Sequence, residues 1–306
     1  MRLDQTGKIV DDFFALGNPS VPVYLLDGSF PALFDAGFTA FARDYEKGIK
    51  SILGDRPPSY LFLTHAHFDH VGAASYLKNV WPEMQVCGSE RSGEILARSG
   101  AVKLIRDLND EARRSIREWG MDTVYEPPFE PFHLDRILFP DDTINLGEEC
   151  TLKALSTPGH TWDFMSYWVP EKKILVASEA VGTDEGTGEI VTEFLVDYDA
   201  YRRSMKRLAE LDPQVLCLGH RLILTGADAG KHIRNSLEQA SSYVSMVEKV
   251  LLDENGDIEK TVKRIKAEQW DPRPLPKQPE PAYLLNTRAR VKNLWERMQK
   301  GRDADE

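Results

Sequence analysis

The sequence predicts an α/β fold followed by an all-helical C-terminal part, and three observations support this prediction. Short apolar runs typical of strands alternate with helix-like segments over the first 225 residues. Polar residues directly follow several of these runs, as expected where strand ends point into a shared site. After Thr225 the apolar residues recur only at helical spacing. We therefore expect residues 1–225 to form one α/β domain and residues 226–306 to form a helical cap packed on it.

The composition limits the classes of function. The chain has 306 residues, 42% of them hydrophobic, which is enough for a substantial core. Its net charge of −11 argues against a nucleic-acid partner, whose phosphates require a basic face. No apolar run follows the charged start and none reaches the length of a membrane span, so we expect neither a secretory signal nor a membrane partner. The three cysteines contain no C-x-x-C pair, which favours free thiols and a cytoplasmic protein.

The first half of the chain is predicted to consist of strands joined by helices. Asp27-Gly28-Ser29 separates its first two strands, which predicts a hairpin. Pro82 ends the second helix. The predicted elements are strands at 21–26, 32–35, 60–63 and 85–87, helices at 40–52 and 69–80, and a mostly helical insertion at 90–119.

The second half returns to strands before it becomes wholly helical. A helix at 198–211 is expected before the last of four strands, which are predicted at 151–155, 164–169, 173–177 and 215–218. Beyond these, three helical stripes of apolar residues are centred on Val244, Val262 and Val291.

The most informative segment is His65-Ala66-His67-Phe68-Asp69-His70. His65 and His67 are two residues apart, so in an extended segment they project from the same face. Asp69 and His70 fall where the chain must turn into the next helix. The strand end and the turn each offer a pair of ligands, which is the layout of a site for two adjacent metal ions. Burying three imidazoles and a carboxylate here without a metal would be costly.

Four further polar residues end apolar strands in the same manner. Asp35 follows Leu33-Phe34, and Glu179 ends the strand that begins at Lys173. Two more histidines, His160 and His220, follow the strands near 155 and 218. Convergence of these strand ends on one site is the favoured interpretation. By contrast, we interpret His133 and His232 as ordinary surface or core residues.

Together these residues resemble the signature of the metallo-β-lactamase superfamily of binuclear metallohydrolases. The H-x-H-x-D-H motif stands at residues 65–70, and the later histidines stand in Thr157-Pro158-Gly159-His160-Thr161 and in Leu218-Gly219-His220. The resemblance covers roughly residues 21–225. It implies a four-layer αββα sandwich with a helical C-terminal cap over the metal site. The aromatic residues of that cap, Trp270, Tyr283 and Trp295, are candidates to line the substrate pocket.

The resemblance also implies a ligand set. By analogy, His65, His67 and His160 hold one metal, Asp69, His70 and His220 hold the second, Glu179 takes the bridging carboxylate position, and Asp35 supports the site. One departure concerns the bridge, because the family normally has aspartate in a Gly-Asp pair where this chain has Ser178-Glu179. Glutamate is one methylene longer and requires a shifted backbone or a different metal spacing, which leaves occupation of both metal sites open.

The expected chemistry follows from these ligands. Neutral imidazoles and carboxylates suit two divalent ions of zinc, iron or manganese. Two such ions lower the pKa of a bridging water to about 7 and polarise a substrate carbonyl, so no serine or cysteine nucleophile is required. Asp69 is the candidate catalytic residue, because it can orient the attacking water while it binds metal.

Within the superfamily, the chain resembles most closely the branch of glyoxalase II and the quinolone-signal thioesterase-like enzymes. This resemblance implies hydrolysis of a small-molecule acyl thioester, with lactone and phosphodiester cleavage as open alternatives. A mononuclear iron centre would instead support sulfur dioxygenation. His67 argues against the flavodiiron branch, which has glutamate at that position. A regulatory protein that retains the fold is a third hypothesis, and a homo-oligomer is compatible with the sequence.

Overall fold

The computed structural model describes residues 1–118, 125–147, 150–184, 188–273 and 280–305, with side chains up to Lys300. Most strands in this part of the chain belong to two seven-stranded sheets, and two form a short ribbon. In chain order the strands are β1 (Arg2–Leu3), β2 (Gly7–Val10), β3 (Phe13–Leu16), β4 (Val23–Leu26), β5 (Ala32–Phe34), β6 (Tyr60–Phe62), β7 (Gln85–Ser89), β8 (Arg136–Leu138), β9 (Thr143–Gly147), β10 (Cys150–Ser156), β11 (Met165–Val169), β12 (Ile174–Val176), β13 (Thr183–Asp184), β14 (Ile190–Val191), β15 (Val215–Cys217) and β16 (Ile223–Thr225).

Each of the two sheets contains parallel neighbouring strands. The first sheet has the order β2-β3-β4-β5-β6-β7-β8, antiparallel up to β5 and parallel from β5 to β8. The second sheet has the order β1-β16-β15-β12-β11-β10-β9, and β12 pairs with β15 in parallel. Because parallel strands end at the same edge, residues that follow β5 and β6, or β12 and β15, lie close together.

Aromatic side chains fill the space between the two sheets. Tyr167 of the second sheet packs on Phe34 and Phe62 of the first, with ring centroids 5.9 and 5.3 Å apart. The Tyr167 hydroxyl donates a hydrogen bond of 2.6 Å to the carbonyl of Leu63. In the other direction, the Tyr24 hydroxyl donates one of 2.6 Å to the carbonyl of Leu218. Each tyrosine therefore ties its own sheet to a strand end of the other.

Helices cover the outer faces of both sheets. Tyr45, Leu77 and Ile105 bury the outer face of the first sheet, while Tyr201 and Ile233 bury that of the second. The helices are α1 (Ala42–Leu53), α2 (Phe68–Val71), α3 (Ala74–Val80), α4 (Glu90–Leu96), α5 (Ser99–Glu118), α6 (Tyr198–Ala209), α7 (Ala227–Asp253), α8 (Ile258–Ile265) and α9 (Glu280–Asp305). The predicted four-layer αββα sandwich with a helical C-terminal segment is confirmed.

Local differences from the predicted elements have physical reasons. The predicted hairpin forms, with β4 paired antiparallel to β5. The helix predicted over 69–80 is broken at Gly72, whose N–H donates to the carbonyl of Gly37. A Cβ at Gly72 would lie 2.5 Å from the backbone nitrogen of Thr39, so the close approach of these loops requires glycine. Sequence reasoning missed β2 and β3. Trp119, the last residue of the predicted helical insertion, lies outside the described residues.

Three remaining expectations concern the thiols, the membrane and the cap. Cys87 and Cys217 are buried free thiols, as predicted, while Cys150 is partly exposed and also free. In the part of the chain that the structure describes, no helix is both long enough and apolar enough to cross a membrane. The proposed domain boundary after residue 225 falls between β16 and α7.

Gly159 fixes the segment that carries His160. Its φ of +134° is a conformation that side chains with a Cβ rarely adopt, and its carbonyl accepts hydrogen bonds from the N–H groups of Leu195 and Val196, both 3.1 Å. A Cβ here would lie 2.3 Å from the Cα of Tyr201. The second sheet therefore approaches α6 closely at the position before a predicted ligand.

Replacing Gly159 with alanine is expected to lower the free energy of unfolding by about 2 kcal/mol or more, because both the backbone angle and the contact with Tyr201 become unfavourable. The control is Gly100→Ala, where a Cβ meets nothing within 4 Å in helix α5. That control should change stability by no more than about 1 kcal/mol, and in the stabilising direction. Urea unfolding of both chelator-treated variants, followed by circular dichroism, tests this. Equal stability of Gly159→Ala and the parent protein would contradict the argument.

Candidate metal centre

The residues predicted as ligands meet at one edge of the sandwich. They follow β6, β10, β12 and β15, and the remaining ones lie at the start of α2. They form three overlapping groups, and within each group the ligand atoms lie within 4.8 Å of one another. The groups are His65, His67 and His160; His65, His70 and Glu179; and Asp69, His70 and His220. The structure thus brings all seven residues together.

The first group contains only imidazoles, and two of them, His65 and His160, are held by outer hydrogen bonds. His67 Nδ1 and His160 Nε2 face each other at 3.2 Å. The other nitrogen of His160, Nδ1, donates to the carbonyl of Glu193. His65 Nδ1 lies 3.0 Å from the hydroxyl of Thr64, which leaves His65 Nε2 directed at the common centre. Fixing one ring nitrogen in this way orients the other as a ligand.

The group of Asp69, His70 and His220, called the second group below, is anchored by outer hydrogen bonds of the same kind. His70 Nδ1 lies 2.8 Å from Asp35 Oδ2, and His220 Nδ1 lies 3.0 Å from the carbonyl of Ser20. Asp69 Oδ2 lies 3.6 Å from His220 Nε2 and 3.9 Å from His70 Nε2. Both imidazoles therefore present Nε2, and Asp69 presents a carboxylate, to the same small volume.

Asp35 supports the site without being one of the grouped ligands. Its carboxylate accepts hydrogen bonds from the backbone N–H of Thr64 at 2.8 Å, from the Thr64 hydroxyl and from His70. Asp35 is 4% exposed and has a φ of +59°, a left-handed conformation that is uncommon for residues other than glycine. The turn after β5 thus places the Asp35 carboxylate against the turn after β6.

Glu179 reaches the centre despite its extra methylene. Its Oε1 lies 3.1 Å from His70 Nε2 and 2.9 Å from His220 Nε2, yet it has no partner with hydrogen-bond geometry. Ser178, with a φ of +47°, turns the backbone and donates from its hydroxyl to Glu179 Oε2 at 2.7 Å. A Cβ on Gly219 would lie 2.2 Å from Glu179 Oε1. The bare backbone of Gly219 thus makes room for the longer side chain.

Burial keeps the first group of imidazoles neutral. Desolvation lowers the pKa of His65 and of His67, and neighbouring imidazoles lower the pKa of His65 further. The same desolvation lowers the pKa of His160 to about 4. The neutral imidazole is the form that binds a metal ion.

In the second group, the negative charges of the carboxylates determine the direction of the pKa shifts of the imidazoles. Burial lowers the pKa of His70, but the charges of Glu179, Asp35 and Asp69 outweigh it and raise the pKa well above its usual value. The pKa of His220 rises to about 9, because the contact with Glu179 outweighs burial. Conversely, both imidazoles hold the pKa of Glu179 well below its usual value against the effect of burial. Glu179 is therefore an anion in a position to face cations.

The donor atoms fit divalent metal ions. His65 Nε2 and Glu179 Oε1 are buried and have no hydrogen-bond partner among the described residues. Buried polar atoms in proteins are nearly always satisfied, so two unsatisfied atoms that point at one centre fit a site that binds a metal ion. Five imidazoles with two carboxylates suit zinc, iron or manganese.

Sequence reasoning missed two residues that support the ligands. Asp163 Oδ2 accepts hydrogen bonds of 2.8 Å from the N–H of Ala66 and from the hydroxyl of Ser92, which fixes the segment between His65 and His67. The only feature of the sequence that pointed to Asp163 was the presence of an acidic residue three positions after His160. Glu193 holds His160 through a backbone carbonyl, for which side-chain identity gives no signal.

The histidines interpreted as ordinary lie outside the centre, and the aromatic residues of the cap lie within the cap. His133 is exposed, and buried His232 Nε2 lies 3.1 Å from the carbonyl of Val181. Trp270 packs on Tyr283 with ring centroids 5.8 Å apart. Trp295 packs against the core formed by the second sheet and the C-terminal helices.

Two proteins of known sequence are similar to this chain. A hydroxyacylglutathione hydrolase from Bartonella tribocorum is 29% identical over 161 residues, which cover 52% of this chain and 47% of that protein. The chain therefore spans about half the length of that relative. A metallo-beta-lactamase fold-containing protein from Sulfurisphaera tokodaii is 24% identical over 73% of this chain and 81% of its own length.

Solved structures show the same fold. A metallo-beta-lactamase family protein from Thermus thermophilus superposes with a TM-score of 0.64 at 18% identity, covering 96% of this chain and 95% of that one. The family model of the metallo-beta-lactamase superfamily matches residues 16–220, more than half of the chain. With the two sheets, the outer helices and the seven converging side chains in place, the chain belongs to the metallo-beta-lactamase superfamily.

Proposed function

We propose that this protein is a binuclear metal-dependent hydrolase that cleaves a small-molecule acyl thioester. The observation that supports it most strongly is the meeting of the His65–His67–His160 and Asp69–His70–His220 groups beside the Glu179 carboxylate. The two groups share one edge of the fold and contain the neutral nitrogens and carboxylates that hold paired divalent ions.

When bound there, divalent ions would supply a water ionised at neutral pH and an electrophile for a substrate carbonyl. Asp69 and His220 are the most accessible carboxylate and imidazole of the second group, with side chains 14% and 34% exposed. Substrate therefore reaches the centre from their side. There, Asp69 can accept a hydrogen bond from the attacking water and orient it.

The two buried cysteines do not offer a competing nucleophile. Burial raises the pKa of the Cys87 thiol to about 12, and it also raises the pKa of Cys217 well above its usual value. A thiol, unlike a thiolate, is a poor nucleophile. Direct attack by water is thus the mechanism that the side chains favour.

The preference for a thioester rests on relatives. The hydroxyacylglutathione hydrolase from Bartonella tribocorum acts, by its name, on an acylated thiol, and it is similar to about half of this chain. Lactones and phosphodiesters are the competing substrates. A panel of all three bond types, assayed with metal analysis of the purified protein, tests the proposal. Turnover of a lactone or phosphodiester only would overturn the thioester assignment.

Replacing His67 with alanine is expected to reduce thioester hydrolysis by more than about 100-fold, because loss of a ligand should cost more than loss of an outer partner. Part of the bound metal should also be lost, while unfolding stays cooperative. The matched control is His133→Ala, since His133 is exposed outside the centre. Activity assays and elemental analysis of both variants measure the effect. Full turnover by His67→Ala would contradict the mechanism.

Replacing Glu179 with glutamine is expected to reduce the metal content from two ions per chain to one, because the neutral amide removes the anion that faces both groups. Glu94→Gln is the control, since the Glu94 side chain is 58% exposed. Native mass spectrometry counts the bound ions in each variant. Retention of two ions by Glu179→Gln would show that this carboxylate does not bridge.

A further inference from the structure

A cavity of about 270 Å³ lies beside His67, one of the candidate ligands. Its wall is mostly apolar and is formed by α4, α5 and the loop after His160, with a contribution from Val196. The apolar side chains that line it include Ile95, Leu104, Ile105 and Trp162.

Two of these apolar side chains are unusually exposed for their size. Trp162 is 45% exposed and Leu104 is 58% exposed, although both lie next to a buried polar centre. Exposed apolar surface that gathers in a concave site near converging polar groups is typical of a ligand pocket. A substrate that binds here can cover this surface while its reactive bond lies at the metal ligands.

The cavity also offers polar groups that lack partners within the protein. Thr161 Oγ1 is buried without a hydrogen-bond partner among the described residues, and Thr161 adjoins the ligand His160. Arg91 lines the cavity and makes no ion pair within the described part of the chain. Asp163, which also lines the cavity, already accepts hydrogen bonds from Ala66 and Ser92. Thr161 and Arg91 are thus left to serve a ligand.

We propose that this cavity is the acyl subsite of the enzyme and takes an apolar acyl group carried as the thioester of an anionic thiol. The volume of 270 Å³ holds about nine groups the size of a water molecule, which corresponds to an acyl chain of medium length or a single aromatic ring. Arg91 pairs with the anionic carrier, and the Thr161 hydroxyl donates to a polar atom near the scissile bond. This inference rests on the proposed hydrolase function and adds its substrate class.

The acyl part is tested with acetyl and octanoyl thioesters of coenzyme A. The parent protein should prefer the octanoyl thioester in kcat/KM, and Trp162→Ala should reduce the octanoyl-to-acetyl ratio by about tenfold. Phe139→Ala is the control, because Phe139 is an aromatic residue of similar exposure, 55%, that does not line the cavity. An unchanged ratio in Trp162→Ala would overturn the acyl subsite while leaving hydrolysis intact.

A binding measurement separates the subsite from the hydrolase activity. S-Octyl coenzyme A, a thioether that cannot be hydrolysed, should bind to chelator-treated parent protein in calorimetry, and Trp162→Ala should weaken that binding about tenfold. Leu104→Ala is a second variant, compared with Leu252→Ala at a similar exposure of 52%. Binding that depends on these residues in a protein that hydrolyses no thioester would overturn the proposed function but support the subsite. Equal binding by all variants would overturn the subsite.

The role of Arg91 is tested by changing the charge of the carrier. Arg91→Gln should raise KM about fivefold for octanoyl coenzyme A, but not for the octanoyl thioester of the neutral thiol N-acetylcysteamine. Arg98→Gln is the control, since Arg98 is exposed two turns later and pairs with Glu94. Equal effects of Arg91→Gln on both thioesters would overturn the anionic carrier.

Discussion

The candidate metal centre depends on the hydrogen bonds that the Asp35 carboxylate accepts. It joins the ends of two parallel strands to helix α2, because it accepts hydrogen bonds from the backbone and hydroxyl of Thr64 and from His70. The Thr64 hydroxyl in turn contacts His65 Nδ1. One buried acid therefore orients an imidazole in each ligand group. Its left-handed backbone conformation indicates that the fold holds the acid in place against local preference.

The inter-sheet hydrogen bonds extend this constraint across the sandwich. Tyr167 contacts the carbonyl of Leu63, two residues before His65, and Tyr24 contacts the carbonyl of Leu218, two residues before His220. Each bond satisfies a tyrosine hydroxyl in an otherwise aromatic interior. Strand ends from two separate sheets are thereby held in register with each other. A site whose ligands come from both sheets requires such a link.

The bridge position and the apolar cavity are formed by different parts of the chain. At the bridge, the turn at Ser178 and the bare backbone of Gly219 accommodate glutamate where the family normally has aspartate. At the pocket, the insertion that carries α4 and α5 forms an apolar wall beside His67. The cap aromatics, which the sequence offered as candidates to line the pocket, pack within the C-terminal helices. The proposed chemistry and the proposed substrate choice thus lie in different parts of the chain.

The sequence by itself determined the candidate ligands, half of the sixteen described strands, most of the helices and the helical C-terminal segment. These features depend on local periodicity and on motifs of a few residues, which spacing alone reveals. Only the tertiary structure decided how Glu179 reaches His70, why Asp163 and the Glu193 carbonyl hold the imidazoles, and where the helix over 69–80 breaks. Each of these outcomes depends on contacts between residues remote in the chain. Whether two side chains 35 or 100 positions apart touch is set by the packing of sheets and helices, which local spacing does not encode.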